Sequence, residues 1–172
     1  TELEAAVAIG QFKNLDTWNA ARRELAEYLT KKLSKLDVLE CPVIPAHIEH
    51  SYFVYPIKLK AKAGVSRDIF LKALNAEGIP FGGGYVRPIY LEPMYQKKIA
   101  YGDQGFPFVP PVYKGSVNYG KGVCPTCERM HETELMLTPV CRYPNTKADM
   151  DDVAAAFEKV ISHLDELTVR TG

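Results

Sequence analysis

The chain has 172 residues, in which 21 Lys and Arg face 21 Asp and Glu, and 47% of the residues are hydrophobic. Balanced charge spread along the sequence builds no field for phosphate backbones or anionic lipid, which disfavours nucleic-acid and membrane partners and leaves specific small-molecule chemistry open. A chain this long buries roughly 70% of the surface that its unfolded form exposes, so its cysteines are not required as staples.

No apolar run is long enough to span a bilayer, and the N-terminus lacks the basic-then-apolar layout of a secretion signal, so the expected location is cytoplasmic. The first residue is Thr1 rather than Met. This predicts either processing or a piece of a longer protein.

All twelve prolines fall between Pro42 and Pro144, and only Gly10 and Gly172 lie outside that middle region. The pattern predicts helical ends and a middle of strands and loops. Ala5, Ala8, Phe12, Leu15, Trp18, Ala21, Leu25, Leu29, Leu33 and Leu36 recur at steps of three and four, the spacing of one helical face. One long helix over residues 1–36 is expected, bent if anywhere at Gly10. It would run about 50 Å, more than a domain of this size needs for itself. The stretch from Leu3 to Ile9 is apolar on every face after Glu4, as in a helix buried all round.

Residues 50–60 are aromatic and β-branched and read as a strand, with Pro56 placing it at an edge or a bulge. Ser66 caps a helix built on Ile69, Phe70, Ala73 and Leu74, with Gly78 as its stop. Ile79 to Phe81 starts a short strand that enters Gly82-Gly83-Gly84. Residues 86–122 read as a long loop of the kind that is functional rather than filler. A helix from Pro125 to about Leu137 follows. The last helix opens on Thr146 and Asp149 and carries Met150, Val153, Phe157, Val160, Leu164 and Leu167. The expected fold class is α+β, a long N-terminal helix followed by a small, mainly antiparallel sheet with helices on one face.

Candidate chemistry is sparse. The Gly82-Gly83-Gly84 run is followed by Tyr85-Val86-Arg87-Pro88 rather than by a helix N-terminus, which excludes a phosphate loop. It suggests a close pass beside a ligand or another subunit, or a plain turn. Cys124 and Cys127 with His131 have the spacing of half a zinc site, but no second pair completes it, and two small buried cysteines are the plainer reading. A redox pair is weaker still. Tyr85, Arg87 and Tyr90 form the most site-like segment. Arg87 offers a planar fork for carboxylate or phosphate, and the tyrosines offer flat faces with polar tips for a polyhydroxylated ring. His50 beside Tyr52 is a further polar contact. No nucleophile with a base, no carboxylate pair and no cofactor motif is visible, so the chain reads as an accessory half of an active site.

The order of segments resembles the C-terminal region of the DegT/StrS family of pyridoxal-phosphate-dependent sugar and aminocyclitol aminotransferases. The pieces that carry the resemblance are residues 1–16, Trp18 to Arg23, the strand from His50 to Ile57, Ser66 to Ile79, Gly84-Tyr85-Val86-Arg87-Pro88-Ile89-Tyr90-Leu91, Gly122 to Pro125 with Glu128-Arg129, and Asp151 to Val160. The resemblance implies the small domain of a fold-type I transferase: residues 1–36 as a linking helix, residues 37–172 as the C-terminal domain, and a cofactor-binding domain upstream of Thr1. It further implies a homodimer, pyridoxal phosphate in the parent protein, glutamate or glutamine as amino donor, and a keto sugar or keto cyclitol as acceptor. The Schiff-base lysine would lie upstream, so this chain alone is expected to bind no cofactor and to be inactive, with no catalytic or metal-ligating residue of its own. Arg87, Tyr90, Tyr85, His50 and Tyr52 are the positions carried over as substrate-binding. Phe53 stands where the family often has a second His, and Tyr90 where many sugar-nucleotide members have His, which favours the aminocyclitol branch. The alternatives are a pyridoxamine-phosphate-dependent deoxysugar dehydratase of the same family, and a zinc-stapled or dimerisation module without enzymatic function.

Overall fold

The computed structural model describes residues 1–169. Two helices stand where one is expected: α1, Glu2–Phe12, and α2, Leu15–Leu33. The break falls at Lys13 and Asn14 and not at Gly10, which sits undisturbed inside α1. Asn14 takes the N-cap of α2 at φ −107°, ψ 2°, a role that suits a residue poor in helix interiors. The helix predicted over residues 1–36 is therefore jointed. α1 buries none of its residues, and Leu3, Val7, Ile9 and Phe12 are all exposed.

Four strands form one antiparallel sheet in the order β1-β2-β4-β3, with β1 at Leu39–Glu40, β2 at Tyr55–Leu59, β3 at Gly82–Gly83 and β4 at Leu135–Thr138. β2 is shorter than the predicted strand, because residues 50–53 lie outside any ladder. Its register places Pro56 opposite Leu137 of β4 but beyond the last residue of β1, so its missing N–H falls where one side of the strand is open. The predicted helix over 125–137 is replaced by three pieces. These are α5 at Pro125–Arg129, a wide π turn at Met130–Glu134, and β4. Leu135 to Thr138 has fair helix propensity, but pairing with β2 and β3 overrides it.

Helices α2, α3 (Arg67–Ala76) and α6 (Lys147–Ser162) pack on one face of the sheet. Tyr55, Ile57 and Leu59 alternate inward from β2 and Met136 from β4. They meet Leu25, Leu29 and Leu33 of α2, Phe70, Leu71 and Leu74 of α3, and Met150, Val153, Phe157 and Val160 of α6. The expected α+β arrangement, a small antiparallel sheet under helices, is what forms. The final predicted helix is also divided, because α6 ends at Ser162, with His163 as its C-cap, and α7 continues at Leu164–Val169.

The capping signals hold. Ser66 Oγ accepts the Ile69 N–H at 3.3 Å, and the Asp149 carboxylate accepts the N–H and hydroxyl of Thr146 at 2.7 Å each. Ser66→Ala strips α3 of its cap and should lower stability by about 1 kcal/mol, read as a fall in the urea midpoint at constant slope. The long loop contains a 3₁₀ turn at Ile89–Leu91 and α4 at Pro93–Lys97. Tyr95, Phe108 and Tyr119 pack edge to face or tilted within 5.3 to 6.1 Å of one another and give it a small core of its own.

Candidate functional site

The glycine run is shaped by this chain's own residues. Gly82 and Gly83 pair with Leu137 and Met136 of β4, and the Gly84 N–H donates to Leu135 O at 2.9 Å. A Cβ at Gly83 would lie 2.8 Å from the guanidinium of Arg67, and one at Gly84 would lie 2.6 Å from the carbonyl oxygen of His131. Arg67 is largely buried there and donates to His131 O at 2.5 Å. The close pass expected beside a ligand or a second subunit is thus made against the π turn and α3 of the same chain.

From this anchored point the chain enters Tyr85 at φ 82°, a conformation that costs an aromatic residue strain and that clusters at functional sites. Tyr85 and Val86 are exposed and border a cavity of about 620 Å³ whose other walls include Cys124, Cys127, Met130 and His131. Arg87 is exposed and, among the described residues, has no hydrogen-bond or ion-pair partner. Tyr90, three residues on, is buried, and its hydroxyl donates to Glu128 Oε1 in a short hydrogen bond. Glu128 is also buried and accepts the Gly122 N–H at 2.7 Å and, more weakly, the Cys124 N–H at 3.4 Å. Donation from Tyr90 foremost, then from the two backbone amides, holds the Glu128 carboxyl below its ordinary range against the opposing effect of burial. Burial first, and the Glu128 carboxylate second, push the Tyr90 phenol up. Both shifts favour the same pair of states, a carboxylate and a neutral phenol.

His50 and Tyr52 lie elsewhere. The Tyr52 N–H donates to His50 Nδ1 at 2.9 Å, which places the imidazole proton of the neutral ring on Nε2. Tyr52 takes φ 46° and stacks on Tyr55 with ring centroids 6.2 Å apart. Burial, with a smaller contribution from the charge of Glu27, raises its phenol. These two residues border a polar cleft of about 630 Å³ between α2 and the loop after β1, where Arg23 pairs with Glu49 at 2.6 Å. The two cavities share no wall residue. Of the five predicted contact residues, Tyr85 borders one cavity and His50 and Tyr52 border the other, while Arg87 and Tyr90 line neither of the two.

Cys124 and Cys127 are exposed and free, one turn apart at the start of α5, and His131 follows on the π turn with its Nδ1 buried and unpartnered. Among the described residues no group of three or more His, Cys, Asp or Glu is placed to hold a metal ion. No described lysine is buried, and the lysines with perturbed pKa values, Lys32, Lys121 and Lys147, are raised by hydrogen bonds to Asp151, Glu132 and Glu24. Sequence reasoning passed over Glu128 as a site residue. The available signal was an acid on the first turn after Pro125, a place where backbone N–H groups converge. No helix among the described residues is long and apolar enough to cross a membrane.

Residues 1–120 match the family model for the DegT/DnrJ/EryC1/StrS aminotransferase family. The L-glutamine:2-deoxy-scyllo-inosose aminotransferase of Streptoalloteichus tenebrarius is 29% identical over 174 residues, which cover 97% of this chain and 39% of that protein. The dTDP-4-dehydro-2,6-dideoxy-D-glucose 3-dehydratase of Saccharopolyspora spinosa is 33% identical over 91 residues, covering 51% of this chain and 20% of that protein. The crystal structure of the aminotransferase TlmJ from Streptoalloteichus hindustanus superposes with a TM-score of 0.66 at 25% identity, over 94% of this chain and 36% of that one. The chain thus spans 39% of the length of the aminocyclitol aminotransferase it resembles.

Proposed function

The chain belongs to the DegT/DnrJ/EryC1/StrS aminotransferase family, and on that premise we propose that it is the C-terminal, substrate-facing part of a longer homodimeric enzyme that moves an amino group from glutamine or glutamate to a keto cyclitol or keto sugar. The family depends on pyridoxal phosphate, and no described lysine of this chain is buried as a Schiff-base lysine would be. A Schiff-base lysine needs desolvation to lower its pKa, whereas the perturbed lysines here are exposed or half-buried and shifted upward by carboxylates. No step of cofactor chemistry is therefore assigned to this chain.

What its residues supply is recognition. The observation that carries the reading is Arg87, an exposed guanidinium without a hydrogen-bond or ion-pair partner among the described residues, carried between the strained Tyr85 and the buried Tyr90. A keto cyclitol has hydroxyls but no charge, while the amino donor brings a carboxylate. The Arg87 fork accordingly takes the donor carboxylate through paired N–H donors, and the Tyr85 ring lies against the acceptor. His50 and Tyr52, which border the other cleft, are the second group of substrate contacts in the assembled enzyme.

The test uses the full-length protein supplied with pyridoxal phosphate, glutamine or glutamate, and a panel of keto cyclitols and keto sugars headed by 2-deoxy-scyllo-inosose. Mass spectrometry should show one amino group gained per donor consumed. Absence of transfer across the whole panel would sink the reading. The likeness to a 3-dehydratase over 91 residues supports a second reading, in which the acceptor loses a hydroxyl and no donor nitrogen appears in the product. In the transferase, Arg87→Ala should raise the KM for the donor about tenfold or more with kcat little changed, the loss of a charged hydrogen bond. Arg87→Lys should recover little of it, because an ammonium cannot match the bidentate geometry.

A further inference from the structure

We propose that Tyr90 and Glu128 form a positioning pair that sets where Arg87 is presented, and that the Tyr90 hydroxyl is not a substrate contact. The inference rests on the reading of Arg87 as the group that receives the donor carboxylate.

The segment from Gly84 to Tyr90 is a short bridge with both ends fixed to residues 122–135. At its start, the Gly84 N–H bonds to Leu135 O at 2.9 Å and its α-carbon lies against His131. At its end, Tyr90 is held twice. Its hydroxyl donates to Glu128, and its carbonyl accepts the Gln96 side-chain amide at 2.7 Å. Arg87 sits midway between these anchors and, among the described residues, has no hydrogen bond or ion pair of its own to fix it. Its position is therefore inherited from the two ends.

Glu128 is suited to be the fixed end. One carboxylate oxygen collects the phenol, the Gly122 N–H and, at longer range, the Cys124 N–H, so a single buried atom joins the bridge, the end of the long loop and α5. A buried carboxylate stripped of one donor keeps its desolvation cost, and the surroundings must move to satisfy it. The phenol is already committed to this bond, and its burial leaves it no second partner in the cavity next to Tyr85. Its role in recognition is through Arg87.

The experiment takes the full-length enzyme and its Tyr90→Phe, Glu128→Gln and Arg87→Ala variants, singly and in pairs. Tyr90→Phe and Glu128→Gln should each raise the KM for glutamine about three- to tenfold with kcat within about twofold, and the pair together should be no worse than either alone. In the Arg87→Ala background, Tyr90→Phe should add almost nothing. Additive losses there, or a fall in kcat at constant KM, would overturn the proposal, since the phenol would then be touching substrate itself. A second readout does not depend on turnover. Hydrogen exchange at the amides of Gly122, Leu91 and Glu92 should quicken at least about tenfold in Tyr90→Phe, while β2 stays protected. Unchanged exchange at those amides overturns the pair whatever the enzyme transfers, whereas quickened exchange in a protein that transfers no amino group would retain the pair and remove only the function assigned to Arg87.

Discussion

Replacing Phe157 by alanine is expected to lower the unfolding free energy of the chain by about 4 kcal/mol. Phe157 is fully buried on α6 and stands at the point where three elements converge. Its ring meets the edge of Phe81 at 5.2 Å and 83°, just before β3, and the ring of Phe70 on α3 at 5.9 Å and 45°. Alanine removes the buried ring surface and both aromatic contacts, and it leaves a cavity that the sheet on one side and two helices on the other hold open. A domain of this size has a total stability of about 5–15 kcal/mol, so the loss is a large fraction of it. Urea unfolding by circular dichroism at constant slope measures the effect, and a loss under about 1 kcal/mol would show that the three elements do not share a packed interior there.

Periodicity located Phe157 and the rest of the inner face. Leu25, Leu29 and Leu33 recur at helical spacing and are buried, and so are Met150, Val153, Phe157 and Val160. The same spacing continues back through Ala5, Ala8 and Phe12, which are exposed. A helical stripe shows which face is apolar and not what covers it. The caps at Ser66 and Thr146 were legible because the side chain and the backbone groups it serves lie within one turn. β4 was not legible. Leu135 to Thr138 is too short for a period of 2 to be told from one of 3.6, and its partners, Tyr55 to Lys58 and Gly82 to Gly83, lie more than fifty residues away.

The candidate site divides on the same principle. Tyr85, Arg87 and Tyr90 fall within six consecutive residues, so the sequence alone keeps them near one another. His50 and Tyr52 border a different cavity from Tyr85, a separation that no local pattern encodes. Glu128 was hidden for a related reason. Its importance comes from a phenol 38 positions away and from two loop amides that converge on one oxygen only after folding.

Gly84 joins fold and site, and its replacement by alanine is expected to cost about 2–5 kcal/mol. One part is conformational, since φ is 80° and an L side chain in the left-handed region costs about 1–2 kcal/mol. The other part is contact. The added methyl would stand 2.6 Å from the carbonyl oxygen of His131 and 2.8 Å from its Nδ1. The imidazole can swing aside, but the carbonyl cannot, because it belongs to the π turn and already accepts the Arg67 guanidinium at 2.5 Å. Overpacking of this kind adds about 1–3 kcal/mol. Gly78 separates the two parts, since its φ is 85° with nothing within 4 Å of an added Cβ. Gly78→Ala should therefore show the conformational cost alone, about 1–2 kcal/mol. Chemical unfolding of the two variants side by side measures the difference. Equal losses would mean that the backbone at Gly84 does not press against the π turn, and the Gly84 end of the bridge that carries Tyr85 and Arg87 would then be held only by its hydrogen bond to Leu135.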